Sequence, residues 1–188
     1  MTANNGPARC RWANTKNQLY IDYHDNEWGE ESRDDHHLFE MLILESFQAG
    51  PSWECVLNKR AAFRKAFDDF DIDKVRQYDD EKKSKLMQNA GIIRNRLKIN
   101  AAVNNASVFK AIQEEFGSFA DYIWGFTKGK VIYECDQISS PLSDRISEDL
   151  KKRGMKFVGT VIIYSYLQAI GVIYSHEKGC FKYKEESK

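Results

Sequence analysis

Little in this sequence interrupts a helix. Only three prolines and eleven glycines are spread over 188 residues, a scarcity that excludes collagen-like or disordered chains and favours helices. Long hydrophobic runs are missing too. The longest mostly apolar stretch, Val161 to Tyr174, is too short and too interrupted to span a bilayer, so no membrane partner is expected. The first ten residues, MTANNGPARC, lack the apolar centre of a secretory leader, which gives the expectation of a soluble, cytoplasmic protein. In such a setting the four cysteines are not expected to form a disulfide framework. No repeat, low-complexity block or Gly/Ser linker marks a boundary, and the length suits one large domain or two small lobes sharing a core.

Net charge is also absent, with 28 basic and 28 acidic residues, but the mean hides an uneven distribution. Lys82 through Gln113 carries seven Lys or Arg and no Asp or Glu; Leu150 through His176 carries four and none. Asp22 through Glu54 holds ten acidic residues and one Arg. The acid-free stretches suit an anionic polymer, the acidic stretch something cationic; ordinary charge fluctuation is the alternative.

What is present reads as helix after helix. Asp34 or Asp35 caps a helix with Leu38, Met41, Leu42 and Glu45 on one stripe, ended at Gly50-Pro51. A second begins near Trp53, and short helical segments follow at 71–78 and 79–88. A Gly-centred break at 89–94 leads into a long helix that Gly117 terminates. Ser118 starts a short helix through Trp124, and residues 127–142 look irregular. Ser143 caps a helix ending at Gly154, and an apolar helix runs from Gly159 to Tyr174. No strand is required.

Three groups of residues carry chemistry. Cys10 and His24 near one end, with His176 and Cys180 near the other, supply two thiolates and two imidazoles. That set completes a tetrahedral zinc shell with no open position, the structural type, and would join the termini; buried thiols and surface histidines are the other reading. His36 and His37 are expected in solvent, and Cys55 and Cys135 as ordinary small side chains. Glu45 lies on the apolar stripe of its own helix, near Trp12, Tyr20, Tyr23, Trp28 and Trp53. A carboxylate among flat rings makes a pocket for a cationic heteroaromatic, or else a buried ion pair among core aromatics. Finally, Gly91 lets backbone approach a phosphate at the start of the long helix, with Lys82, Lys83, Lys85, Arg94, Arg96 and Lys98 around it. A plain helix-turn-helix break with solvated lysines is the alternative.

Together these stretches closely resemble the 3-methyladenine DNA glycosylase I (Tag) family of helix–hairpin–helix glycosylases. The resemblance lies in Cys10-Arg-Trp12, the run from Leu19 to Gly29, Leu38-Phe-Glu-Met with Glu45, Gln48 to Trp53, Ala90 to Arg96, Asp149 to Gly159, and His176 to Cys180. It implies an all-α, two-lobed fold in a single domain over 1–188, with a hairpin lobe at roughly 55–115 and a zinc site joining the termini. It assigns one structural Zn2+ to Cys10, His24, His176 and Cys180. It places Glu45, Tyr20, Tyr23 and Trp53 in the base pocket with Trp12 and Trp28 nearby, and makes the hairpin the DNA anchor through Gly91, Ile92, Arg94, Arg96 and Lys98. The implied activity is monofunctional release of 3-methyladenine from alkylated double-stranded DNA, leaving an abasic site, by a monomer. Pro51, Ser46-Phe47 and Val161-Ile162-Ile163 depart from the family pattern, without removing a proposed ligand or the carboxylate. A non-catalytic zinc-stapled DNA-binding module and a catalytic zinc hydrolase are the competing readings.

Overall fold

In the computed structural model, residues 6–48 and 50–185 are described. The polar first five residues, Ala49 of the Gln48–Trp53 stretch and the last three residues lie outside that set. Helix starts coincide with short polar side chains. Asn17, Ser52, Asp71, Asp79, Asn95 and Ser118 each accept a backbone N–H in the first turn of the helix they precede. These helices are α1 (Gln18–Asn26), α3 (Trp53–Ala66), α4 (Ile72–Val75), α5 (Asp80–Gln88), α6 (Arg96–Phe116) and α7 (Phe119–Gly125). A single 3-10 turn, Asp68–Phe70, links α3 to α4.

Between α1 and α3 runs α2 (Asp35–Gln48). Every residue from Leu38 to Phe47 is buried, so the expected apolar stripe is instead an apolar cylinder around which α3, α6, α7 and α9 (Thr160–Ala169) pack. Its first residue does a second job. The Asp35 carboxylate accepts Phe119 N–H and Ala120 N–H, each at 2.8 Å, and the Gln113 amide at 2.7 Å, which fixes the start of α7 against the core. Asp34 accepts the His36 amide N–H at 3.2 Å.

The C-terminal third differs from the sequence reading in three places. Helix α8 is Pro141–Lys152: Ser140 is its cap, Pro141 sits where a missing N–H is harmless, and Ser143 closes the capping box from inside. Helix α9 stops at Ala169 rather than Tyr174, because Gly171 turns the chain with φ +76°. The chain beyond it is extended. Ile173–Tyr174 (β2) pairs in parallel with Ile132–Tyr133 (β1), a two-residue ladder inside the stretch read as irregular. Among the described residues the architecture is therefore mostly helical with one small parallel ladder.

The Gly171 turn also positions the 28–32 segment. It lets Gly29 N–H reach the Gln168 carbonyl and Ser32 N–H the Ile170 carbonyl, each at 3.0 Å, which lays that segment against the end of α9. A Cβ at Gly171 would stand 2.4 Å from the backbone carbon and oxygen of Glu30. Gly171→Ala should lower unfolding free energy by at least ~2 kcal/mol, from strain at positive φ and the backbone clash together; urea denaturation giving wild-type stability would contradict this.

Candidate active site and metal centre

Six segments converge on a cavity of about 220 Å³. Tyr20 and Tyr23, three residues apart, turn one face of α1 toward it; Glu45 and Gln48 do the same from α2. Trp53 opens α3, Ser165 reaches in from α9, and Trp12 and Trp28 come from the segments flanking α1. The rings meet at angles: Trp12 lies 4.7 Å from Trp28 and 5.7 Å from Tyr20, both edge-on, and Tyr23 lies 5.2 Å from Trp53. The site thus brings together every ring expected from the sequence. Gln48 and Ser165 were missed as pocket residues; their signal was a polar side chain one helical turn after Glu45, and a serine within an apolar, aromatic run.

Two buried polar atoms in this cavity lack hydrogen-bond partners among the described residues. Glu45 is 3% exposed, and its Oε2, like Trp53 Nε1, has no hydrogen bond. Burial alone pushes the Glu45 carboxyl from 4.5 up to about 8. A contrast stands five residues earlier on the same helix. Glu40 is buried equally, yet Arg60 grips it at 2.8 and 3.1 Å and Arg64 at 2.6 and 3.0 Å. Against the cost of burial, those two guanidinium groups hold the Glu40 carboxyl at about 2. The buried ion pair weighed for Glu45 therefore belongs to Glu40. Tyr23 has its phenol pushed well up, first by burial and then by Glu45 and Glu27, so the pocket hydroxyl is neutral.

Beside the cavity, Cys10, His24, His176 and Cys180 are all buried, with ligand atoms within 4.8 Å of one another. Cys10 Sγ is 3.5 Å from His176 Nδ1; Cys180 Sγ is 3.5 Å from His24 Nε2 and 3.6 Å from His176 Nδ1. This soft, compact donor set can hold a metal ion and joins residue 10 to residue 180. Its surroundings orient the ligands. His24 Nδ1 faces Asp25 at 2.8 Å, and Arg9 fixes that carboxylate through two contacts at 2.8 and 2.6 Å. The sulfur of Cys10 accepts Glu177 N–H at 3.3 Å. Burial first, and His24 second, push the His176 imidazole down to about 4, which keeps it neutral as a ligand must be. The cluster also braces the pocket wall: Trp12 lies 5.2 Å from His24, and Trp28 lies 4.7 Å from His176, edge-on.

The hairpin between α5 and α6 is built around Asn89. Its side chain accepts Gly91 N–H at 2.8 Å, and a Cβ on Gly91 would sit 3.1 Å from Ala62 Cβ. Lys59, not anticipated from the sequence, donates to the Ala90 and Gly91 carbonyls at 3.2 and 3.3 Å and sets the turn from behind. Arg94 and Arg96 are exposed. Ile92 is 3% exposed and its N–H meets the Asn89 carbonyl at 3.3 Å, so it anchors the hairpin from inside and corrects the expectation of a direct DNA contact by its side chain. Lys98 corrects the expectation of a surface contact: it is 4% exposed, and its ammonium donates to the Phe47 carbonyl at the end of α2 at 2.9 Å.

Residues 12–183 match the family model described as methyladenine glycosylase. The chain belongs to that family. It is 43% identical over 182 residues to DNA-3-methyladenine glycosylase 1 of Escherichia coli (strain K12), covering 93% of this chain and 96% of that protein. It superposes on a crystal structure of 3-methyladenine DNA glycosylase I (TAG) with a TM-score of 0.90 at 43% identity, over 94% of this chain and 100% of that one. A variant of 3-methyladenine DNA glycosylase I in complex with 3-methyladenine matches with a TM-score of 0.88 at 34% identity, over 92% and 96% of the two chains.

In this member of the family the unpaired carboxyl strains the resting fold. The unfolded chain releases the Glu45 proton near 4.5, the folded one near 8, so folding is penalised increasingly as pH rises through that window and fully above it. Glu45→Gln should therefore be more stable than wild type by a margin that opens between these values and then stays constant. Thermal unfolding of the two proteins from acid to mildly alkaline pH checks this; parallel curves with no gap would contradict it.

Proposed function

We propose that this chain is a monofunctional DNA-3-methyladenine glycosylase, hydrolysing the N-glycosidic bond of 3-methyladenine in alkylated duplex DNA and leaving an abasic site. One observation carries the reading: a partnerless carboxyl, sealed among rings, in a cavity of about 220 Å³. That is smaller than the roughly 300–1,000 Å³ of drug-sized sites and suits a single base. Methylation at N3 makes the purine cationic, hence both a good leaving group and a partner for a carboxylate.

The hairpin holds the duplex through the exposed Arg94 and Arg96 and the backbone that follows Ile92, the N–H groups of Gly91 and Ile92 being taken by Asn89, and the lesion leaves the stack at a cost of a few kcal/mol. Inside the pocket the flipped cation stacks against Trp53 and Tyr23. Its charge favours the ionised form of Glu45, which accepts hydrogen bonds from the base edge. The bond from C1′ to N9 breaks, its electron pair neutralises the purine, and water adds at C1′ with loss of a proton. The Glu45 carboxylate also favours positive charge developing on the sugar. No lysine takes part: Lys98, the nearest beyond the hairpin, is engaged with the Phe47 carbonyl. Nor does a carboxylate follow the hairpin, since Arg94 through Gln113 holds no Asp or Glu.

The metal in this reading is structural zinc. Tetrahedral coordination with bonds of about 2.3 Å to sulfur and 2.0–2.1 Å to nitrogen sets sulfur–nitrogen edges at roughly 3.5 Å, and three such edges here are 3.5, 3.5 and 3.6 Å. With four protein ligands the ion supplies a crosslink between the terminal segments and no reactive position.

Incubation with methylated genomic DNA, followed by identification of the released bases, tests the activity. Wild type should release 3-methyladenine, and Glu45→Gln should do so at least ~10-fold more slowly with its fold intact, as expected for loss of a charged hydrogen bond. Release of no base, or an unimpaired variant, would contradict the reading. Elemental analysis should find one zinc per chain, and Cys180→Ser should lose it and melt several degrees lower; a metal-free wild type of equal stability would remove the staple.

A further inference from the structure

The outer face of α6 carries Arg96, Leu97, Asn100 and Asn104, all exposed, directly after the hairpin. Leu97 is 70% exposed. Opposite stands the turn between α8 and α9, which is clamped rather than loose. Fully buried Asn105 donates to the Lys156 carbonyl at 2.8 Å and accepts Lys156 N–H at 2.9 Å. Asn104 donates to the Gly154 carbonyl at 2.9 Å, and the Ser147 hydroxyl to the Val158 carbonyl at 2.6 Å. Held this way, Phe157 keeps φ +55°, a left-handed backbone that a bulky aromatic adopts only under constraint.

Between these walls lies a groove of about 480 Å³, lined by Leu97, Asn100, Ala101, Asn104, Lys156 and Phe157. One wall belongs to the acid-free stretch 82–113, the other to the acid-free stretch 150–176. The fold has therefore brought the two together, and no carboxylate lines the groove. Asn100 continues it into a second cleft, where Arg96 stands beside Lys83 and Ser84; Asp80 in that cleft is ion-paired to Lys83 at 3.3 Å.

We propose that this groove takes the sugar–phosphate backbone of the duplex next to the hairpin. Leu97 and Phe157 pack against deoxyribose faces, and Lys156 meets a phosphate. A sugar–phosphate backbone offers apolar sugar beside anionic phosphate, which matches a lining that sets Leu97 and Phe157 beside Lys156, whereas an apolar protein segment would leave the ammonium unanswered. The inference rests on the glycosylase reading, because that reading brings a duplex to the hairpin.

Fluorescence anisotropy with an undamaged duplex tests it over a range of salt. Leu97→Ala should bind at least about threefold more weakly with an unchanged salt slope, while Lys156→Ala should lose at least about threefold and lower the slope of log K against log salt by about one. Both should keep the wild-type melting temperature and the wild-type affinity for free 3-methyladenine, read from tryptophan fluorescence. Wild-type DNA binding by both variants, alongside a weakened Arg94→Ala control, would overturn the groove and leave the glycosylase reading standing. Altered self-association with unaltered DNA affinity would overturn it in favour of a second copy of the chain. A wild type that neither binds duplex nor releases base would remove the glycosylase reading, and this inference with it.

Discussion

Everything at the centre of this protein turns on a carboxyl group buried without an answering charge. Helix α2 carries two buried glutamates, and the surrounding fold treats them oppositely. Glu40 is saturated by Arg60 and Arg64 and is locked as a structural anion. Glu45, five residues on, faces rings and an unpartnered indole N–H, and keeps its proton to about pH 8. A fold able to neutralise one carboxylate so thoroughly has left the other open, and the energy withheld from the resting state is available to a cation of the right shape. Under the proposed function, that is how a polar group in an apolar place would select damaged, positively charged bases over neutral ones.

The rest of the structure keeps that group in place. The central helix is packed on all sides, Lys98 fastens its end through the Phe47 carbonyl, and Asp35 ties its start to α7. Cys10, His24, His176 and Cys180 draw the two ends of the chain together beside the pocket, and the imidazoles stand against Trp12 and Trp28. In the proposed function a metal held by this cluster would brace the pocket wall and the hairpin would hold the duplex, so stability, recognition and anchoring would fall to neighbouring but separate residues.

Much of this was legible in the chain because it depends on local chemistry. Ser118 marked the start of α7, the expected starts near Trp53 and at 79–88 match α3 and α5, and the ligand set and pocket rings stood in recognisable stretches. The features that escaped depended on tertiary placement. The all-round burial of α2 is set by the helices around it, which a stripe of Leu38, Met41 and Leu42 does not reveal. The apolar run from Val161 to Tyr174 hid a stop at Gly171, because a hydrophobic strand and a buried helix share a composition. Lys98 was misplaced since charge in a basic stretch reads as surface, whereas its long stem carries the ammonium inward to a helix end. Helix α1, short and mixed in polarity, gave no clear period despite carrying both pocket tyrosines.

The proton on Glu45 is the most direct witness. A 9-alkyl-3-methyladeninium, a fixed cation that cannot itself supply or take up a proton near neutrality, should displace about one proton per site at pH 7, and its affinity should rise roughly tenfold per pH unit until about pH 8. Calorimetric titration in buffers of different ionisation enthalpy measures both. Binding without proton release, at an affinity indifferent to pH, would mean that the buried carboxyl does not receive the base.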